Sequence, residues 1–305
     1  NVAVGFLLIL INAFISVLLG LGLSTQLFVA ALRCVVQLFI LGLVLKPAFE
    51  SQSTLFVALL SVVMMTISSL EIVFNKTKAR HFYMLPTVWL CIFVSVFLAS
   101  LLGNAFAIQA DPWFQARQYI PILGMLLGNS LSAVALGLNS TLSQLENQKE
   151  RIEMYLSFGA SRWEAAQPVA KEAIRTALLP TIAQMSVMGL ISIPGMMTGQ
   201  ILGGASIDDA VRYQQIILFM ITAGSSMSVT SCVLCCLYIC IDEQCRLRLD
   251  RIIKAEKKQE GVPNGGFFEL ASAWKRLLRI VCCCFYIGRR DEGSDEERRS
   301  LVTRQ

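Results

Sequence analysis

Apolar residues fall in long runs separated by short polar intervals. Seven runs stand out, at about residues 2–22, 27–45, 54–74, 84–109, 120–141, 176–204 and 215–241. Each approaches or exceeds the ~20 residues that a helix needs to cross a bilayer. The pattern predicts an all-α, polytopic membrane protein with seven transmembrane helices. The second run carries Arg33 and Gln37 within it. The sixth is interrupted by Pro194-Gly195, which is expected to kink the helix or split it into two half-helices. The chain opens on Asn1 rather than Met, so residues upstream are expected. No small-residue cleavage pattern follows the first run.

One polar interval, 142–175, has a pattern of its own. Leu142, Leu145, Ile152, Tyr155 and Leu156 recur near helical spacing among Glu146, Lys149, Glu150, Arg151 and Glu153. Gly159 supplies the left-handed residue that a helix C-terminus favours. Ala160 follows, and Ser161 with Glu164 three residues on forms a capping box that restarts a helix. The second helix carries Trp163 and runs straight into the apolar stretch at Leu178-Leu179-Pro180. A short amphipathic helix held below the bilayer can dock into a partner's groove, with Trp163 as a natural anchor. An ordinary linker between two spans would show the same periodicity.

Composition agrees with a membrane class. Hydrophobic residues make up 55% of the chain and charged residues 15%, with a mean hydropathy of +0.62. The formal charge of +5 becomes informative once it is placed along the chain. Lys76, Lys78 and Arg80 share one loop, and Lys149, Arg151, Arg162, Lys171 and Arg175 another. The tail opens with Arg246, Arg248, Arg251, Lys254, Lys257 and Lys258. The alternate loops hold Lys46, Arg117 and Arg212. Cationic loops stay cytosolic, so the N-terminus is expected outside and the C-terminus in the cytosol. The charge is a topology signal and requires no nucleic-acid partner.

This divides the chain into a transmembrane domain over 1–245, containing the cytosolic loop 142–175, and a basic cytosolic tail over 246–305. Within the tail, 267–287 reads as an amphipathic segment for the inner leaflet, contacting membrane lipids. Its Cys282, Cys283 and Cys284 are candidates for palmitoylation. From Arg289 onward the tail is polar and expected to be disordered. The plasma membrane and an organelle membrane are equally compatible with these features.

No catalytic constellation is visible, so the chain is not expected to be an enzyme. Its one histidine, His81, falls in a basic loop and is expected to be solvated. The sequence has no Gly-x-x-x-x-Gly-Lys-Ser/Thr phosphate loop. No cofactor is expected on this chain, and if transport is active, ATP must be used by a separate polypeptide.

Polar groups inside the apolar runs mark where a substrate path can lie. Arg33 and Glu71 can form an ion pair that locks two helices. Alternatively, Glu71 is an oxygen ligand on the path or an interfacial side chain. Asn129, beside Gly124 and Gly128, either joins helices through a Gly-x-x-x-Gly face or lines a pore. At Pro194-Gly195-Met196-Met197, a broken helix exposes backbone carbonyls, and two thioethers add soft ligands suited to Cu(I). Flexible packing at a hinge is the alternative use of those methionines. The metal, if any, is left open.

Resemblance narrows these readings. The interval around Glu153, Gly159 and Leu179-Pro180 resembles the coupling loop of ABC-transporter permeases, although no Glu-Ala-Ala precedes Gly159. A narrower family shares Arg33-x-x-x-Gln37-Leu38 with Gly42-x-x-Leu45, and Pro121-Ile122-x-Gly124-Met125-x-x-Gly128-Asn129. It also shares Leu156-Ser157-x-Gly159-Ala160, Ile174-Arg175-x-Ala177-Leu178-x-Pro180-Thr181, Pro194-Gly195-Met196-Met197-x-Gly199 and Tyr213-Gln214. Over about residues 25–240 the chain resembles the bacterial Fet-type iron-export permease and the plant membrane proteins of aluminium tolerance. That resemblance implies a permease subunit exporting metal ions, iron first. It further implies coupling through Glu153, Gly159, Ala160, Ser161, Trp163 and Glu164 to a separate nucleotide-binding ATPase subunit. An odd number of spans makes a homodimer the expected assembly. A seven-helix receptor and a secondary transporter share the span count and are the alternatives.

Overall fold

The computed structural model describes residues 2–20, 22, 24–51, 54–81, 83–108, 116–242, 246–248 and 252–254. It contains nine α-helices among those residues, with one two-stranded sheet. The chain divides into two compact units, 1–45 with 258–305, and 46–257.

In the first unit, α1 spans Val2–Leu18, and α2, Ser24–Ser51, begins there and runs on past residue 45. Gly20 and Gly22, at φ +62° and +66°, turn the chain between them, a conformation that a Cβ disfavours. Of the apolar window in α2 only 6% is buried. Its leucine, valine and phenylalanine side chains therefore suit lipid better than water.

The second unit is a helical bundle. It comprises α3 (Thr54–Glu71), α4 (Met84–Leu102), α5 (Ala116–Asn147), α6 (Lys149–Ser157), α7 (Arg162–Val187), α8 (Gly195–Leu202) and α9 (Ile207–Cys240). Both α3 and α4 end in π-helical turns, Ile72–Lys76 and Gly103–Ile108. The central helix is α5, which packs against α3, α4, α7 and α9. Ile122, Leu123, Leu126 and Val134 of α5 meet Ile217, Val229 and Val233 of α9 in the core, all buried. A stripe of small residues on α7, Ala165, Ala166, Ala170, Ala173 and Ala177, is buried as well. With the hydrophobic effect weak inside a bilayer, close backbone approach supplies the packing. A Cβ on Gly137 of α5 would sit 3.3 Å from Val229, 3.4 Å from Ala177 and 3.4 Å from Val233, so three helices converge there.

The expected Gly-x-x-x-Gly face is not where these helices meet. Gly128 has nothing within 4 Å and Gly124 only the tip of Met64. The close approach falls nine residues further along α5, because the small residues of α7 face Gly137 instead. Buried hydroxyls such as Ser61, Thr141 and Ser228 donate to carbonyls four residues back, at 2.7 Å each, which satisfies them without water.

Five helices are long and apolar enough to cross a membrane: Ser24–Leu45, Thr54–Lys76, Met84–Ala105, Ala116–Asn147 and Ile207–Cys240. The first and sixth expected spans differ from the other five. The first is a 17-residue helix, about 25 Å long, short of the ~30 Å hydrocarbon core. The sixth is split, and earlier than the proline alone predicts. Helix α7 stops at Val187; Gly189 (φ +90°) turns the chain; Pro194 then caps α8. The apolar end of α7 after Arg175 is about 18 Å long and α8 about 12 Å, so neither piece spans a bilayer core by itself.

Loop 75–83 carries a short strand. Ala79–His81 pairs antiparallel with Ile252–Lys254, bringing the chain after α9 back onto the bundle. His81 is 3% exposed, which corrects its expected solvation. Three-residue strands are too short to show an alternating pattern in sequence.

Candidate functional site

Two regions bring the sequence-derived residues together, and α7 joins them. The first is the α6–α7 turn. Helix α6 ends in a Schellman arrangement: the Ala160 amide donates to the Tyr155 carbonyl and the Gly159 amide to the Leu156 carbonyl, both at 3.1 Å. Gly159 takes φ +87°. Ser161 then caps α7. The Glu164 amide donates to Ser161 Oγ at 3.3 Å, and the Ser161 amide donates to Glu164 Oε2 at 2.8 Å. The Ser161 amide and hydroxyl together hold the Glu164 carboxyl below the usual carboxylate range. Each half of this turn leaves few orphan backbone groups, so the angle between the helices is set locally.

The turn is also anchored. The Arg162 guanidinium donates to the carbonyls of Ile241 (2.9 Å) and Tyr238 (3.3 Å) at the end of α9 and stacks 4.4 Å over the Tyr238 ring. A cation at a helix C-terminus also opposes the dipole. Sequence reading took Arg162 only as part of the loop's positive charge. Ile152 is buried beneath α6, while Phe158 is 83% and Trp163 52% exposed on either side of Gly159. Glu153 pairs with Lys149 at 3.8 Å on the exposed face.

The second region lies toward the other end of α7. A cavity of about 180 Å³ is lined by Asn129 and Met125 of α5, by Thr181, Gln184, Met185 and Met188 around the end of α7, by Pro194, Gly195 and Met196, and by Gln214 and Thr222 of α9. Four sequence-derived residues, Asn129, Pro194, Gly195 and Met196, therefore meet at one site. Met197 is not among its walls. The Asn129 amide donates to the Met125 carbonyl at 2.9 Å. Gln214 is 8% exposed and its Oε1 has no hydrogen-bond partner among the described residues. The Thr222 hydroxyl has two acceptors in reach, Met185 Sδ at 2.7 Å and the Leu218 carbonyl at 2.9 Å. Met196 also lines a second, adjoining cavity of about 320 Å³ with Arg117, Gln118, Gln200, Asp209 and Tyr213. The two cavities thus follow one another toward the start of α5 and α9.

Sequence reading missed Met185, Met188, Gln214 and Thr222 as a group. The signal available was Met185 and Met188, three apart on one helix, just before the break. Glu71 stands away from the cavity. It ends α3 and accepts a 2.6 Å hydrogen bond from Asn75. Arg33 and Gln37 lie on α2 in the first unit, exposed within the single chain. Cys282, Cys283 and Cys284 lie outside the described residues, as does the whole segment 267–287. Among the described residues, no group of three or more His, Cys, Asp or Glu side chains is placed to hold a metal ion.

A model of the uncharacterised protein family UPF0014 matches residues 1–240. The UPF0014 membrane protein slr1647 of Synechocystis is 32% identical over 74% of this chain and 87% of its own length. The probable iron export permease protein FetB of Escherichia coli is 30% identical, covering 75% and 86%. Protein ALUMINUM SENSITIVE 3 of Arabidopsis thaliana is 28% identical, covering 76% and 84%. No solved structure matches.

Proposed function

The chain belongs to the UPF0014 family and is an integral, multi-pass membrane protein, and from that premise we propose that it is the permease subunit of an ABC-type metal exporter. A separate ATP-binding subunit docks on the α6–α7 turn, and two copies of this chain form the translocation path. One observation carries the reading: α7 is an uninterrupted helix of 26 residues, about 39 Å, with the exposed docking turn at one end and the cavity at the other. A displacement applied at the turn is carried along this one helix to its far end, where Met185 and Met188 border the cavity.

In this mechanism the partner's groove receives Phe158 and Trp163, and Glu153 and Glu164 border the contact. Arg162 transmits the movement to the end of α9, so α7 and α9 move as a pair. Pro180 lies inside α7 and removes the hydrogen bond to the Thr176 carbonyl, softening the helix where it borders the cavity. The break at 188–194 then gates the path, because unwound backbone at membrane depth is tolerated where it lines a cavity. Counting α1 and the α7–α8 pair as spans gives seven, with the N-terminus outside. Iron, named for the bacterial relative, is the first cargo to test.

The broken helix would serve a secondary transporter equally well, and the partner decides between them. The test is to purify the tagged chain in mild detergent and identify its companions by mass spectrometry. A stoichiometric P-loop ATPase, lost in Gly159→Val and Trp163→Ala, is expected. A preparation with no ATPase, under conditions that retain the dimer, contradicts the proposal.

A further inference from the structure

The geometry points to a binding site for a soft monovalent metal ion, of the Cu(I) class, in the cavity beside the helix break, with methionine thioethers as its ligands. Four methionines reach that one cavity from separate elements: Met125 from α5, Met185 and Met188 from the end of α7, and Met196 from α8. Thioethers are soft and polarisable and select Cu(I) over ions that favour oxygen. Each methionine has three rotatable bonds, so a cavity larger than a bare ion can close around it.

Two further observations point the same way. No residue in the wall is ionisable. A trivalent ion in an uncharged site at membrane depth would carry a desolvation cost that no counter-charge offsets, whereas a monovalent ion bonded to sulfur carries far less. The wall also carries polar groups among its apolar ones, which include Leu218 and Ile221. Gln214 Oε1 is buried and without a partner among the described residues, and the Thr222 hydroxyl already contacts Met185 Sδ. The thioether therefore faces a polar site rather than only neighbouring carbon.

This inference adds a soft-metal site beside the gate of the proposed permease and rests on that reading only for placing the site on the path. Binding can be measured without an ATPase or transport. The decisive experiment loads the full-length, selenomethionine-labelled protein with Cu(I) under reducing conditions and records X-ray absorption at the copper edge. Selenium marks methionine ligands and separates them from the chain's ten cysteines. Selenium scatterers in the first shell are expected, with their loss in the fourfold variant Met125→Leu/Met185→Leu/Met188→Leu/Met196→Leu and their retention in Met227→Leu on α9. Leucine conserves volume at such positions, so these variants are expected to fold. A first shell of sulfur, nitrogen or oxygen alone would overturn the assignment. So would selenium scattering that survives the fourfold substitution. A positive result without ATPase association would keep the site and remove the permease reading.

Discussion

His81 shows how burial turns an ordinary residue into a titratable weak point. Its ring is enclosed where Ala79–His81 meets Ile252–Lys254, and neither ring nitrogen has a hydrogen-bond partner among the described residues. Burial lowers its pKa from 6.5 to about 4. The folded state therefore holds the neutral ring. This contribution is fully present above pH 6.5 and is lost as pH falls toward 4, with a limit of about 3 kcal/mol. Protection factors at residues 79–81 and 252–254, taken relative to the intrinsic exchange rate at each pH, should fall as pH drops from 7 to 5, and His81→Leu should abolish that dependence. Unchanged protection across the range would refute it. Arg162 is a second such residue. Removing its charge-assisted bonds to Ile241 and Tyr238 in Arg162→Ala should cost about 1–3 kcal/mol, read as a lower unfolding temperature. Neither role was legible in sequence, because both depend on a partner more than 75 positions away.

Local signals were the legible ones at the scale of elements. Gly159 and the Ser161–Glu164 pair announced a stop and a restart, and the Schellman and capping-box bonds lie at those residues. Such motifs are closed by neighbours within six positions, so sequence contains all of their partners. Placement of the break in the sixth span was less legible. Pro194 marks where α8 begins, but α7 had already ended at Val187, since Gly189 and not the proline takes the left-handed turn. The face carrying the helix contact was also hidden, as Gly128 and Gly137 look alike until α7 is in place. Two predictions belong here. Gly159→Val forces a β-branched residue into φ +87°, a strain of about 1–3 kcal/mol confined to the turn. Membrane insertion should be unchanged and ATP-dependent export lost. Gly159→Asn, which tolerates that conformation better, should retain most export. Gly137→Leu should instead cut the yield of folded protein, because its side chain would collide with Val229, Ala177 and Val233; normal thermal stability would show that the junction is not tight.

At the scale of the whole molecule, α7 links what the sequence showed as separate features. The exposed Phe158–Trp163 pair and the methionine-lined cavity belong to opposite ends of one helix, and α9 is tied to the same turn through Arg162. That arrangement suits a device driven from outside the membrane, in which the chain itself performs no hydrolysis. The most direct test is export from vesicles containing the full chain together with the P-loop ATPase proposed as its partner, with ATP supplied on the ATPase side. The account predicts ATP-dependent metal movement that Gly159→Val abolishes while both proteins remain in the membrane. Movement that continues without ATP, or that is unchanged in Gly159→Val, would contradict it.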